Sequence, residues 1–331
     1  MDKSLSYDDV LLVPKYSDIR SRSEIDITGD LTNGLSLPLP IISSPMDTIT
    51  ETTMSFIMAC MGGSGIIHRY NTIEEQSKMV REASAEIDSV AIGSLGAAVG
   101  VTGDYIERAQ SLVFAGVKYI CVDIAHGHHI LMKEALYNLR KALPPNFHIM
   151  AGNVATLQGV NDLADWGANS VRCNIGGGSI CSTRIQTGHG MPGLQTIFDC
   201  AKTDRDVGII ADGGIRNAGD IVKALAAGAD AVMCGSLLDA SGSYKVYRGM
   251  ASKEAQINWR GRYSSFEGIS SVVPCRGNVD SLLDDLGKNI KSGFSYSGAR
   301  NMKELRLKAD FTQQTTAGTV ESGTHISSKA V

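Results

Sequence analysis

The sequence holds no pair of cysteines at the two-residue separation that zinc and redox sites use; its seven cysteines, an odd count, are scattered singly. They sit in apolar, strand-like runs such as YICVD and AVMCGS. This excludes a disulfide framework and a zinc cluster, and most are expected to be reduced residues of the core. A bilayer-spanning run is also missing: the longest apolar stretch, around Val90 to Val101, is short and broken by Gly93, Gly96 and Gly100. No charged-then-apolar leader opens the chain. The protein is expected to be soluble and cytoplasmic, without a membrane partner. Nor does one charge dominate. Lys+Arg 31 against Asp+Glu 35 gives a formal net charge of -4, so no basic field draws nucleic acid, and an anionic ligand must be held by local geometry.

What is present is a single large apolar complement. The 331 residues are 43% hydrophobic, enough for one sizeable core and one catalytic domain. Eight short apolar runs recur along the chain: PLPIISSPM, SGIIH, SLGAAVG, YICVDIA, HIMAGNV, SVRCNIG, VGIIADGG and AVMCGS. Helix-like segments of 3.6 periodicity lie between them, as in NAGDIVKALAAGA, where Asn217 is placed to cap and Gly228 to end a helix. Repeated strand–helix alternation demands a parallel sheet covered by helices. Eight units with near-continuous apolar strands suit a closed (β/α)₈ TIM barrel better than an open doubly wound sheet, the alternative.

The boundaries read as a barrel over 1–311, including a short active-site flap at 239–274, and a C-terminal tail at 312–331. A closing helix is expected near Leu282 to Ile290. The Thr-, Ser- and Gly-rich tail lacks periodicity and is expected to be ordered only against another element or subunit. Polar and glycine residues follow each apolar run: Ser43, Ser44 and Asp47; His68; Asp123 and His126; Asn153; Gly176 to Thr183; Asp212 to Gly214; Gly235 and Ser236. Barrel enzymes place their chemistry at these strand ends.

The densest signal is Ile175–Gly–Gly–Gly–Ser–Ile–Cys–Ser–Thr–Arg184. Consecutive glycines let backbone amides approach a ligand, Ser179 can donate to a phosphate oxygen, and Cys181 sits in an amide-rich loop where a cation or aligned dipoles would favour its thiolate. A glycine turn carrying a buried cysteine would read the same way without chemistry. Farther on, ADGGI at Asp212 to Ile215 and Gly235–Ser236 offer exposed amides after strands seven and eight, where a barrel phosphate site forms, with Asp212 an acceptor for ribose hydroxyls. The plainer reading is a helix-capping Asp with glycines for tight packing.

With these come YDDVLLVP, SSPMDT, GSGIIH, DIAHGH, AGNVAT, GSICSTR, ADGGIR, KALAAGADAVM, YRGM and EGI, in order over nearly the whole length. The chain thereby resembles the IMP dehydrogenase / GMP reductase family. The resemblance implies that Cys181 adds to C2 of a purine 5′-monophosphate, with hydride passing between C2 and a nicotinamide. It implies the phosphate on Ser179, Gly214, Gly235, Ser236 and Tyr247 and the ribose on Asp212 beside Gly213. Ser44, Met46, Gly249, Met250 and Glu267 would line the rest of the nucleotide pocket. Asp123 would meet the nicotinamide ribose, with Asn153 and Arg172 near its ring. A potassium ion is expected on carbonyls of Gly176, Gly178 and Cys181, with Glu321 reaching it from a neighbouring subunit. A homotetramer, extending to an octamer, is also implied. The paired regulatory cystathionine-β-synthase-like modules of the family have no room between His68 and Leu95.

Direction of reaction divides the motifs. SSPMDTITE, AHGH, AGNVAT, ADGGIR and the tail TAGTVESGTHI resemble the dehydrogenase, as does Arg262–Tyr263, similar to the pair by which it activates water. The expected activity is therefore NAD-dependent oxidation of IMP to XMP. The alternative is the reductase, which converts GMP to IMP with NADPH; the short flap, Thr183 and Glu267 match it. A nucleotide-binding protein without turnover is the third reading, against which stands the joint presence of Cys181, Thr183, Arg262, Tyr263 and Glu267. Three positions depart from the dehydrogenase pattern and bear on cofactor fit: Asn174 for a usual Gly, Gly177 for Pro or Ser, and Gly193 for Gln. The close-set His126, His128 and His129 read as solvent-facing rather than metal-binding. His189 either meets the cofactor or caps its loop. Trp166 reads as helix packing, Trp259 as a cover for the pocket, and MSFIMACMGG as helix core.

Overall fold

The apolar runs fold into eight parallel strands: β1 (Ile41–Ser43), β2 (Ser64–Ile67), β3 (Ser94–Val99), β4 (Tyr119–Asp123), β5 (His148–Val154), β6 (Ser170–Cys173), β7 (Gly208–Asp212) and β8 (Ala231–Cys234). They close on themselves, with Met233 of β8 opposite Ile42 of β1. Each is buried on both faces, which is why the runs are continuous rather than alternating, and closure leaves no strand edge unpaired. The fold is a TIM barrel. These features come from a computed structural model that describes residues 3–87, 92–238, 244–263, 265–274 and 277–323. Among the described residues no helix is long and apolar enough to cross a membrane.

Two apolar layers hold the barrel. The outer one packs strands against helices; in Ala218–Ala226, Ile221, Val222 and Leu225 are buried, Asn217 accepts the Asp220 amide N–H, and Gly228 follows at φ +118°. The inner layer unites Ile42, Ile66, Ala98, Met150, Ile210 and Met233 with Leu31, Leu35 and Leu37. Those leucines belong to a small hairpin, Gly29–Asp30 paired with Ser36–Leu37, seated against the start of β7: a Cβ on Gly208 would lie 2.8 Å from the Leu31 Cα. The end of the barrel where the strands begin is thereby stoppered with hydrocarbon. Inside, Tyr119 is fully buried, its hydroxyl 2.7 Å from Ser64 Oγ, and Gly96 leaves room for its ring, since a Cβ there would come within 2.3 Å.

Beyond β8 the flap is more ordered than a loop. Strand β9 (Tyr244–Arg248) pairs antiparallel with β10 (Ser270–Pro274), and the helix Lys253–Arg260 lies between them. Ser252 caps that helix by accepting the Ala255 N–H, and Gly261 ends it at φ +67°. Flap residues 239–243 and 264 lie outside the described residues. The closing helix runs longer than expected, Val279–Tyr296, because Val279, Leu283, Leu286, Ile290 and Phe294 extend one buried stripe. The described part of the tail rests on its own chain: Phe311–Gln313 pairs with Val10–Leu12, and Gln314 and Thr319 donate to the Asp8 carbonyl. Glu321 is exposed at the end of the helix Thr316–Glu321.

Candidate active site at the strand ends

A cavity of about 440 Å³ opens where the eight strands end. The β1 and β8 ends give it Ser44, Met46, Gly235 and Ser236; β4, β5 and β6 give Asp123, Asn153 and Arg172. The loop after β6 contributes Gly176, Gly178, Ser179, Cys181 and Thr183, the turn after β7 Asp212, Gly213 and Gly214, and the flap Tyr247, Gly249, Met250 and Glu267. The structure thus brings together residues up to 223 positions apart in the chain, from Ser44 to Glu267 (267 minus 44).

One corner is built of small donors. Ser179 Oγ donates to Ser236 Oγ at 3.3 Å, and the Ser236 amide donates to Tyr247 Oη at 3.2 Å. Gly235 must lack a side chain here, because a Cβ would stand 2.6 Å from Tyr247 Oη. Gly213 and Gly214, at φ +81° and +74°, turn β7 back so that they lie against Gly177 and Gly178. Hydroxyls and glycine amides converging without a fixed cation suit a phosphate. Burial pushes the Tyr247 phenol up, so it stays a neutral donor.

The floor is ionic. Arg172, 7% exposed, donates from Nη1 to Asp123 Oδ1 at 2.5 Å, and from Nε and Nη2 to Asp212 Oδ2 at 3.1 and 2.8 Å. Asn153 Nδ2 adds a fourth contact, 2.7 Å from the same Asp212 oxygen. Burial alone would raise the Asp123 carboxyl, but Arg172 and Arg69 outweigh it and hold it below its ordinary value. Arg172 is engaged as a bridge between two carboxylates, which the reading of it as a ring-facing residue did not include.

Asn174 accounts for one of the other two departures. Its Nδ2 donates to the Asp212 carbonyl at 2.8 Å, and a Cβ on Gly177 would fall 2.2 Å from that nitrogen, so the amide occupies space that a side chain at 177 would need. At Gly193 the nearest neighbour of an added Cβ is the Tyr7 ring, at 3.2 Å, with the Asn174 amide at an ordinary contact distance of 3.5 Å.

The sulfur is wired to a carboxylate. Cys181 Sγ donates to Thr183 Oγ1 at 3.1 Å, and Thr183 Oγ1 donates to Glu267 Oε2 at 2.7 Å. Backbone contacts hold the two loops in register: the Ser182 amide donates to the Glu267 carbonyl, the Ile269 amide to the Ile180 carbonyl, and Gly268 bridges both Cys181 and Ser252. Arg262 and Tyr263 are not brought to this wall. Both are exposed, Tyr263 by 47%, its ring edge-on to Phe266 with Lys253 above it.

Sequence reasoning missed Arg69, Tyr70, Gln256 and Arg260, which also line the cavity. The signal for the first two was their place just after β2, the same strand-end logic that found the others. A second cavity of about 230 Å³ shares Arg69, Ile124 and Arg260 with the first and adds Arg108, Asp104 and Trp259. His128 pairs with Asp162 at 2.7 Å, His129 caps the helix Ile130–Ala142, and His189 closes on the Thr187 carbonyl, so it caps its loop. His126 lies below the ordinary imidazole value, through partial burial first and then repulsion by His128, His129 and His189. Trp166 packs as a helix end with Lys133 over its ring. Among the described residues, no group of three or more His, Cys, Asp or Glu side chains could hold a metal.

Comparison with known proteins places this geometry. Residues 4–325 match the family model described as IMP dehydrogenase / GMP reductase domain. The chain is 35% identical to an inosine-5′-monophosphate dehydrogenase of Cryptosporidium parvum, covering 98% of this chain and 95% of that one. It is 32% identical to the dehydrogenase of Nitrosopumilus maritimus, over 98% of both, and 30% identical to a GMP reductase of Leishmania major, over 99% and 98%. A crystal structure of GMP reductase from Trypanosoma brucei with guanosine 5′-monophosphate superposes with a TM-score of 0.90 at 28% identity, over 98% of each chain. Without room for the regulatory module, and with similar likeness to both activities, the chain belongs to the IMP dehydrogenase / GMP reductase family of oxidoreductases.

Proposed function

We propose that Cys181 attacks C2 of a purine 5′-monophosphate and that the chain oxidises IMP to XMP. The observation that carries the attack is the hydrogen-bonded line Cys181–Thr183–Glu267, which gives the thiol proton a path to a carboxylate at the wall of the cavity; the direction rests on the motifs that resemble the dehydrogenase. Ser179, Ser236, Tyr247 and the glycine amides would grip the phosphate, and Asp212, already fixed by Arg172 and Asn153, would take the ribose hydroxyls. The bound nicotinamide supplies a hydride acceptor; Asp123, Arg69 and the arginine-lined second cavity are the groups suited to hold that cofactor and its phosphates. With the thiol proton given up by Glu267 to solvent, water would add its oxygen to C2 as the C2–sulfur bond breaks, its proton passing through Thr183 to Glu267 and from there back to the departing Cys181 sulfur.

Carbonyls of Gly176, Gly178 and Cys181 suit a potassium ion, which prefers neutral oxygens to thiolate or imidazole. The Gly178 carbonyl accepts the Cys181 N–H at 3.1 Å and keeps a second lone pair. Such an ion would brace the loop that carries the sulfur. Glu321 as a further ligand belongs to the same reading and requires a second subunit of the proposed tetramer.

GMP reduction is the second reading, favoured by one observation: Arg262 and Tyr263, the pair suited to activating water, stand outside the cavity while Thr183 and Glu267 reach the sulfur. Following cofactor absorbance with IMP plus NAD, then with GMP plus NADPH, separates the two. Turnover of the first pair alone is expected; turnover of the second alone reverses the direction, and neither would leave only a nucleotide-binding protein. Arg262→Ala is expected to leave kcat with IMP within about threefold, since that exposed side chain does not line the cavity; a nucleotide adduct accumulating on the intact chain, read by mass spectrometry, would instead show that the flap brings Arg262 to the water. Glu267→Gln is expected to lower kcat by about 10²–10³-fold with nucleotide affinity little changed, as removal of a proton-transfer group does.

A further inference from the structure

The flap is tied to the barrel through one residue that neither the motifs nor the proposed chemistry uses. Tyr70, just after β2, donates its hydroxyl to the Met250 carbonyl at 2.8 Å. Its ring stacks on Trp259 of the flap helix, centroids 6.1 Å apart and planes at 18°. The Arg69 guanidinium stands 5.5 Å over the same ring and donates to the Asp123 carbonyl at 3.2 Å. Met250 is held a second time, its sulfur 3.3 Å from the Asp47 amide, next to the ion pair of Asp47 with Arg248.

The path from Met250 to the sulfur is short. Ala251 follows it directly and accepts the Glu267 amide N–H at 3.1 Å, while Ser252 bridges Gly268. Glu267 in turn meets Thr183, and Thr183 meets Cys181. A shift of Met250 therefore moves the backbone that sets the Glu267 carboxylate, and proton transfer is sensitive to small errors in such placement. The stack on Trp259 fixes the other end of the same arm.

We propose that Tyr70 is a positioning residue, clasping the flap through the Met250 carbonyl and the Trp259 ring so that Glu267 is registered on Thr183 and Cys181. This rests on the reading of Cys181–Thr183–Glu267 as the reacting line. The clasp also explains why Trp259 faces the barrel from an otherwise polar helix: an aromatic face meets an aromatic face, and the phenol oxygen supplies the direction that stacking lacks.

Two measurements on the full-length chain test it. Tyr70→Phe keeps the ring and removes only the hydroxyl; kcat is expected to fall about tenfold or more, with nucleotide Kd changed less than about threefold and the thermal midpoint unchanged. Trp259→Leu is expected to act likewise, and Trp259→Phe to recover most of the loss. An unchanged kcat in Tyr70→Phe overturns the proposal, as does a loss that appears equally in Kd. Trp166→Phe leaves Trp259 as the sole tryptophan, so acrylamide quenching reads its exposure without any turnover. Adding Tyr70→Ala is expected to raise that quenching. If it does while no substrate pair is turned over, the clasp stands and the catalytic reading fails; if quenching does not change, the clasp is wrong.

Discussion

Replacing Cys181 by Ala is expected to cut turnover by roughly 10⁴-fold or more while IMP or GMP still binds within a few-fold of the original affinity. The asymmetry follows from geometry. The donors suited to phosphate are Ser179, Ser236, Tyr247 and glycine amides, and the acceptor suited to ribose is Asp212; none depends on the sulfur. What the sulfur supplies is a covalent bond to the base, while the Thr183 hydroxyl, which donates to Glu267, is placed to relay a proton. Calorimetry of nucleotide binding beside a steady-state assay measures both halves. Retained turnover would remove the covalent route, and lost binding would mean that the loop had collapsed.

Replacing Arg172 by Met is the second large effect and acts on folding. One guanidinium lies between Asp123 and Asp212, and its removal leaves two part-buried carboxylates without their shared cation, Asp123 keeping Arg69 and Asp212 keeping Asn153. Losing the cation costs about 3 kcal/mol, the low end for a broken buried pair, readable as a shift in the denaturant midpoint. The pH dependence carries a sign. In the natural protein the Asp123 carboxyl lies below its ordinary value, so its contribution to stability is present above about pH 4 and is lost as pH falls through the depressed value. Without Arg172 only Arg69 opposes burial, so that carboxyl rises from its depressed value. The variant's carboxyl therefore takes up a proton at a higher pH than the natural protein's, and the gap between the two narrows as pH falls through that step. A gap independent of pH would show that Arg172 acts through packing alone.

The barrel was legible because its signals are local. Eight apolar runs, caps such as Asn217 and turns such as Gly228 each carry their own period or backbone preference, and the closed sheet repeats that rule. The loop after β6 was legible for the same reason: GGGSIC concentrates glycine, a hydroxyl donor and a thiol within a few residues. The flap was less so. Its helix is mostly polar, and its two strands pair across more than twenty intervening residues, so the hairpin exists only once Tyr70 and Asp47 give it a surface to lie on. The bridging contacts of Arg172 were hidden for a related reason: Asp123 and Asp212 are far apart in sequence, and only the strands bring both acids beside it. The relation of Asn174 to Gly177 could not be read from a pattern of departures, because only the fold shows that the amide fills the place of a side chain at 177.

The leucine hairpin beneath the strands has a consequence for traffic. With Leu31, Leu35 and Leu37 sealing that end, the tube is blind, and a ligand of the strand-end cavity arrives from the side on which the flap lies rather than along the barrel from beneath.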